Sequence, residues 1–163
     1  MVYGLMIRVQ SRQDGVDFSL LSMVKAKLFL DLAIEDYNAL LQSVIDRAID
    51  DVERFTGLAI GPQVRKISYS VLTETVPLPY GPYLETVSVF SGGIIDEDGR
   101  LTANWPAGDS VVVKCGYDAD TIPKGLLDAV AQAAAEYSGM NPSIKAGSWQ
   151  PTARRFRTFT WAS

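Results

Sequence analysis

A long amphipathic segment from Ile34 to Phe55 limits the folds open to this chain more than any other stretch. Apolar residues recur along it at steps of three and four, which is the spacing of one face of an α-helix. Gly57 follows at the position where a glycine commonly ends a helix. The opposite face is rich in acids, among them Asp46, Asp50, Asp51 and Glu53. We therefore expect a helix over residues 34–56 with one face buried and the other charged.

Two shorter helical patterns and a β-rich middle surround this segment. Ser19 precedes an apolar pattern that reaches residue 29, and Pro123 opens another that reaches residue 138. Between residues 63 and 116 the apolar spacing changes to the alternation of strands, interrupted by prolines and glycines. Because the strands are grouped rather than alternating with helices, we predict a mainly α member of the α+β class.

The predicted architecture is a small helical bundle with a β-rich insertion and an extended C-terminal tail. Residues 1–18 are polar and contain glycine, so we expect an N-terminal arm there. The folded domain then covers residues 19–139. Its helices are expected at about 19–29, 34–56 and 123–138, and its strands within 63–116. Residues 140–163 form the tail, which we expect to dock on a partner.

The composition excludes most catalytic and metal-binding chemistry. Histidine is absent and Cys115 is the single cysteine, so histidine bases, cysteine zinc sites and an intrachain disulfide are excluded. Cys115 follows three valines, which favours a buried and inert thiol. No phosphate-binding glycine motif occurs, and no apolar run reaches the length of a membrane span. We expect a soluble protein that is not an enzyme and binds no cofactor, metal or membrane.

Charge is divided unevenly along the chain. Residues 1–139 contain 11 lysines and arginines against 19 acids, a net charge of −8, whereas residues 140–163 contain four basic residues and no acid. An acidic domain repels phosphates, which disfavours general binding to nucleic acid. A basic tail suits either a phosphate or an acidic protein surface.

The tail combines arginine with large aromatic side chains, which is the composition of interface hot spots. Its candidate partner-binding residues are Trp149, Arg154, Arg155, Phe156, Arg157, Phe159 and Trp161. Docking on another protein is the favoured interpretation, through an extended segment that could add to a sheet edge. Two alternatives stay open: the tail packs back on its own domain, or its aromatic and basic side chains bind nucleic acid.

Several short motifs occur in an order that carries a resemblance. The long acidic helix ends in Val52-Glu-Arg-Phe-Thr-Gly-Leu-Ala-Ile, with Pro62-Gln63 just after. The middle contains Leu78-Pro-Tyr-Gly-Pro-Tyr and Leu84-Glu-Thr-Val-Ser-Val. Val111-Val-Val-Lys-Cys-Gly-Tyr-Asp then leads to Ile122-Pro-Lys-Gly-Leu-Leu-Asp-Ala-Val. This order, from about Phe18 to Gly139, resembles the head–tail connector family of tailed phages.

The resemblance implies a structural virion protein of the kind called adaptor, connector or head-completion protein. Such proteins look like small helical bundles with a β insertion, and about twelve copies form a ring below the portal. The ring joins the portal to a stopper or tail-completion protein, which implies a place in the virion neck and in the host cytoplasm during assembly. The tail matches no motif of the family, and its composition is the reason to expect that it docks on the portal.

The acids of the long helix gain a role if their face lines the channel of such a ring. Asp46, Asp50, Asp51 and Glu53 would then let DNA pass without sequence-specific binding, because like charges repel. An ordinary solvated helix face is the alternative. Two other functions also stay open: a DNA-binding packaging subunit, and another neck component such as a stopper or a tail terminator.

Overall fold

In the computed structural model the chain forms two compact units, each built from two separate stretches. One unit contains Met1–Val16 and Ala59–Asp118, and the other contains Asp17–Leu58 and Ala119–Ser163. We refer to them as the β unit and the helical unit. The structure describes residues 2–3, 6–13, 18–68, 71–72, 76–78, 80–89, 93–97, 99–102 and 110–157.

In the described part of the helical unit, the helices pack around one central helix. These are α1 (Leu20–Lys27), α2 (Asn38–Thr56), α3 (Lys124–Ser138) and α4 (Gln150–Arg154). Helix α3 packs against each of the other three, and α4 also contacts α2. Because each helix buries one apolar stripe, the core of the unit lies along α3.

Helix α2 has the periodicity that the sequence predicts. Its residues buried at steps of three and four are Leu41, Ile45, Ala48 and Val52. The helix ends at Gly57, whose φ of 73° lies in the left-handed region that glycine adopts without strain. Its first residue is Asn38 rather than residue 34, because residues 31–37 form turns before the helix begins.

Helix α3 is packed through small side chains. Its buried residues are Leu126, Ala129, Val130, Ala131, Ala133, Ala134 and Ala135. Alanine lets the axes of neighbouring helices approach closely, because little side-chain volume separates them. Pro123 precedes the helix and Gly139 ends it with a φ of 65°, as the sequence predicts.

The described part of the β unit is built from short antiparallel strands. They are β1 (Val2–Tyr3), β2 (Met6–Arg12), β3 (Gln63–Ser68), β4 (Val71–Leu72), β5 (Val76–Pro77), β6 (Tyr83–Ser88), β7 (Ile94–Ile95), β8 (Arg100–Thr102) and β9 (Ser110–Cys115). The largest sheet has the strand order β2-β3-β9-β6, and smaller sheets join β5-β8-β7 and β1-β4. Helices and strands are therefore segregated along the chain, and the predicted α+β class is confirmed.

Alternate residues of the two central strands are buried. Ile67 of β3 lies opposite Val111 of β9, and both side chains are fully buried. The intervening residues of both strands are at least partly exposed. The sheet therefore has one buried face and one open face. Cys115 is on the buried face, as its position after three valines predicts.

Residues 6–12 form strand β2, although the sequence suggested an arm there. The strand pairs with β3, with Ile7 opposite Ile67 and Arg8 opposite Lys66. It lies at one edge of the four-stranded sheet, and β6 lies at the other. The alternation of Ile7 and Val9 with polar residues is the signal that would have predicted it.

Gly116 is a position in the β unit where a side chain cannot be placed without backbone movement. Its φ is 112°, and a Cβ atom there would lie 2.1 Å from the carbonyl oxygen of Gly61. We expect Gly116→Ala to lower the free energy of unfolding by about 3 kcal/mol, because both φ and the neighbouring backbone must change. Urea denaturation followed by circular dichroism measures the loss.

The control is Gly139→Ala, which isolates the cost of the left-handed backbone from that of a steric clash. Gly139 has a φ of 65°, and nothing lies within 4 Å of a Cβ built on it. This variant should lose only about 1 kcal/mol. Equal losses in the two variants would contradict the steric argument.

Candidate protein-docking site

The described part of the tail, residues 140–157, packs on the helical unit rather than extending from it. Helix α4 contacts α2 and α3, and Trp149 is only 5% exposed. The Trp149 indole meets the Phe55 ring edge to face, with the ring centroids 5.2 Å apart. The prediction of an extended tail is therefore wrong for these residues, and Trp149 belongs to the interior of the helical unit rather than to an exposed docking surface.

Hydrogen bonds to helix α3 hold the loop that leads into α4. The amides of Gly147 and Ser148 donate to the two carboxylate oxygens of Glu136, at 3.0 and 3.2 Å. The Gln132 side chain donates to the Ser148 hydroxyl at 3.1 Å. Gln132 and Glu136 are one turn apart, so one face of α3 orients the loop. Trp149 follows this loop directly, and its position is thus set by hydrogen bonds as well as by burial.

Two residues further along continue this attachment. Ala153 of α4 is fully buried. Phe156 is half-buried against Gly125, where a Cβ atom would come within 2.9 Å of the Phe156 ring. Gly125 lies in the first turn of α3, so the absence of a side chain there makes room for the ring. Phe156 is therefore less available to a partner than the sequence suggests.

The three arginines of the tail stay exposed around this anchored segment. Arg154, Arg155 and Arg157 are all exposed, and the Arg157 guanidinium lies 5.4 Å from the centroid of the Phe55 ring. The start of α4 is thus fixed by a buried tryptophan, while cations at its end face solvent. Phe159 and Trp161 lie outside the described residues, and their role as docking anchors stays a prediction.

The four acids assigned to a channel do not share one environment. Asp46 and Asp50 are exposed, and Asp46 accepts a hydrogen bond from the Gln42 side chain at 3.0 Å. Glu53, by contrast, is only 2% exposed. It directly follows buried Val52, at the boundary between the two faces of α2, which is why periodicity assigned it to the polar face. A buried carboxylate does not present its charge to a channel, so the assignment of Glu53 is wrong.

Asp51 lies at the centre of a small polar network between α2 and α3. Its Oδ2 accepts a hydrogen bond from the Tyr137 hydroxyl at 2.9 Å. Arg54 lies 3.6 Å from Oδ1 and Arg47 lies 3.9 Å from Oδ2. The Arg47 guanidinium also lies 4.5 Å from the centroid of the Tyr137 ring. Because Asp51 is half-buried and contacts groups of two helices, its charge is directed at these groups rather than at a channel.

An exposed apolar surface between α1 and α2 was not predicted. Its side chains are Phe29, Leu32, Ile34, Tyr37 and Leu40, all exposed. Four of them fall within the helices that the sequence predicts at about 19–29 and 34–56, and Leu32 falls between these helices. Helix α1 ends at Lys27 and α2 begins at Asn38, so the intervening residues do not continue either buried face. We call residues 28–37 the α1–α2 loop.

The described residues present contact surfaces of defined charge and polarity. Among them, no group of three or more acidic or cysteine side chains could hold a metal ion. No helix in that part of the chain is long and apolar enough to cross a membrane. What the anchored tail and the α1–α2 loop present is cationic and apolar surface, which suits binding to another macromolecule.

The fold is shared with chains from gene transfer agent particles. A chain of the neck of an empty particle, computed with C6 symmetry, matches with a TM-score of 0.67 and 18% identity, over 95% of this chain and 96% of that chain. A chain of a native virion has a TM-score of 0.65 at 18% identity, with the same coverage. A chain of the native neck, computed with C12 symmetry, has a TM-score of 0.59 at 20% identity, again with that coverage. No protein-family model and no curated protein sequence matches.

Trp149→Ala tests whether the tail is part of the helical core. Removing a buried indole that packs on Phe55 should lower the free energy of unfolding by about 4 kcal/mol. Urea denaturation measures the loss. The control Arg155→Ala changes an exposed residue of the same tail and should stay within about 0.5 kcal/mol of wild type. Similar losses in both variants would contradict the assignment of Trp149 to the core.

The Tyr137–Asp51 contact predicts a pH dependence. Burial, and next the hydrogen bond to Asp51, raise the pKa of Tyr137 from 10.0 to about 12. Between these values Tyr137 ionises in the unfolded chain but stays protonated in the folded one, so stability falls as pH rises through this window. The melting temperature of wild type should therefore fall more steeply with pH across this window than that of Tyr137→Phe. Thermal denaturation at a series of pH values measures both slopes. Parallel curves of melting temperature against pH would contradict the assignment of this pH dependence to Tyr137.

Proposed function

We propose that this chain is a structural protein of the neck of a tailed phage or phage-like particle, where it forms an adaptor ring between the portal and the tail or stopper. The observation that carries the proposal is the fold match to a neck chain, which covers 95% of this chain and 96% of the other with a TM-score of 0.67. Fold alone does not determine function. The proposal therefore also draws on the charge and surfaces of this chain.

A ring of about twelve copies is the proposed assembly. The particles that contain similarly folded chains were computed with C6 and C12 symmetry, which supports a rotational arrangement. A closed ring needs contacts in which each copy offers two different surfaces to its neighbours. The proposed role is mechanical and needs no catalytic group, so we do not expect enzymatic activity.

The C-terminal tail is proposed to dock on the portal. Residues 140–163 contain no acid, and Arg154, Arg155 and Arg157 are exposed at the end of an anchored segment. Such cations would meet acidic groups on the portal, where charge-assisted hydrogen bonds are strong. Phe159 and Trp161, a few residues further along, would fill apolar pockets. Trp149 then has a positioning role, because it fixes where the arginines begin.

The exposed acids of α2 are proposed to face the channel. Of the four acids that the sequence suggested for a channel, Asp46 and Asp50 have exposed side chains. Negative charge on a channel wall repels phosphates, so DNA would pass without sequence-specific binding. The protein would accordingly reside in the virion neck, and in the host cytoplasm while particles assemble.

The test is capture of the portal protein encoded in the same genome by the full chain. Arg154→Glu combined with Arg155→Glu should weaken capture about tenfold, which corresponds to about 1.4 kcal/mol. Truncation after Arg157 removes the final aromatic residues and should weaken it further. A cut at Gly139 is less informative, because it also removes Trp149 from the helical core. Capture is measured by co-purification and quantified by surface plasmon resonance.

The control variant is Lys145→Glu, a charge reversal in the same tail that lies before Trp149 and is exposed. It should leave capture unchanged. Full capture by the arginine variant and by the truncated chain would overturn the docking assignment. Capture of a tail-side protein in place of the portal would indicate a stopper or tail terminator. Steeply salt-dependent DNA binding would indicate a packaging subunit.

A further inference from the structure

We propose that the α1–α2 loop of one copy docks on Arg8 and Lys66 of a second copy of this chain. The contact would join neighbours within the ring, so the inference rests on the proposed function and adds which two surfaces build the assembly.

The α1–α2 loop, with the first turn of α2, concentrates exposed apolar side chains. Phe29 is 89% exposed and Leu32 is 61% exposed, and Ile34, Tyr37 and Leu40 are exposed as well. Single exposed apolar residues are ordinary on protein surfaces. A group of large ones within residues 29–40 is typical of an interaction surface, because each leaves apolar area in water that a partner would cover.

The loop keeps a defined shape although most of its side chains face solvent. Lys25 is buried, and its ammonium donates to the carbonyl oxygens of Leu32 at 3.1 Å and Ile34 at 2.6 Å. The Asp31 carboxylate accepts the Ala33 amide at 2.9 Å. A buried ammonium needs acceptors of this kind, so the lysine ties the loop to α1. A surface held in this way loses little conformational entropy when it docks.

The backbone at Phe29 supports a role for its exposed ring. Its φ of 58° lies in the left-handed region, which is strained for a bulky residue and suits glycine or asparagine. The chain therefore carries a large apolar side chain in an unfavourable backbone conformation and leaves that side chain in water. Residues in such conformations are held by the structure around them and are enriched at binding and switch sites.

The loop is acidic as well as apolar. Asp31, Glu35 and Asp36 are exposed, and the sequence contains no lysine or arginine between Lys27 and Arg47. Its complement is therefore a surface that offers cations beside apolar side chains. The cations of α2 do not fit, because Arg47 and Arg54 already surround Asp51.

Such a complement lies on the open face of the four-stranded sheet. Arg8 of β2 and Lys66 of β3 are directly opposite each other, and both are exposed. Like charges in directly opposed positions destabilise a strand pair, and acidic groups from another molecule would relieve that repulsion. Val112 of β9 lies next to Lys66 on the same face, and Val64 lies two residues from Lys66 along β3. Both valines are half-buried.

The two surfaces differ from each other, which identifies the contact as heterologous. A heterologous contact leaves one unused surface on each side of a pair, so further copies add until the rotation closes into a ring. This is the contact type that the proposed assembly requires. A second copy is therefore the occupant that satisfies both the charge of the loop and the geometry of the ring.

Charge reversal tests the pairing without changing the number of like-charged neighbours in the sheet. Variant A carries Arg8→Glu and Lys66→Glu, and variant B carries Glu35→Lys and Asp36→Lys. In sedimentation velocity, self-association of wild type should increase as the protein concentration is raised. Variants A and B should each stay monomeric. An equimolar mixture of A and B should associate again, because the loop of each variant then complements the sheet of the other.

Restoration in the mixture cannot arise from misfolding of either variant, since each would remain defective. Association of A or B alone at the wild-type level would overturn the proposal, and so would a mixture that stays monomeric. A wild-type chain that remains monomeric up to about 1 mM would overturn it as well, because so weak a contact contributes little to a ring.

Phe29→Asn tests the apolar part of the contact. Asparagine tolerates a left-handed φ, so the melting temperature should be maintained or raised while association weakens at least tenfold. The control is Ile94→Thr, which removes a 65% exposed apolar side chain in the β unit and should leave association unchanged. Wild-type association of the Phe29 variant would exclude the loop as the contact.

Portal capture by the same variants separates this inference from the proposed function. Variants A and B should still be captured as single copies through the tail, because neither changes residues 140–163. If wild type self-associates but does not capture the portal, the adaptor role is overturned and the contact between copies stands. If wild type captures the portal but does not self-associate, the contact between copies is overturned and the adaptor role stands.

Discussion

The packing of α2 against α3 is the contact on which the helical unit depends. Helix α3 presents mostly alanine and α2 presents larger aliphatic side chains, so the two axes can lie close together. Helices α1 and α4 then pack on α3, and Glu136 of α3 holds the loop that leads into α4. The exposed arginines and the acidic loop take their positions from this apolar core. The charged surfaces therefore depend on a contact whose buried centre is apolar.

The sequence predicted the features that depend on local properties. Helices α2 and α3 follow from the 3.6-residue period and from glycines with left-handed φ, Gly57 and Gly139. Strand β2 was missed although Ile7 and Val9 alternate with polar residues, because the glycine and polar residues of the first 18 positions indicated an arm. The burial of Glu53 and the exposure of Phe29 depend on where neighbouring helices lie and end. Periodicity along a single segment contains no information about those neighbours.

The tail shows why composition identified a segment but not the role of each residue. Aromatic side chains are enriched in interface hot spots and in protein cores for the same reason, since both bury large apolar area. Trp149 is buried against Phe55, whereas the arginines that follow it stay in solvent. The tryptophan attaches the segment to its own chain, and the exposed arginines remain accessible to a partner. Only the three-dimensional contacts separate these two roles.

The construction of each unit from two stretches of chain has a consequence for synthesis on the ribosome. Strand β2 is made before α1 and α2, but its partner β3 is made after them. Helices α1 and α2 in turn wait for α3, which follows the last strand of the β unit. Because domains fold as their segments emerge, the β unit can be complete while the helical unit still lacks its central helix. The arginines of the tail emerge later still, so the surface that we propose for docking would not be present on a nascent chain until folding is nearly complete.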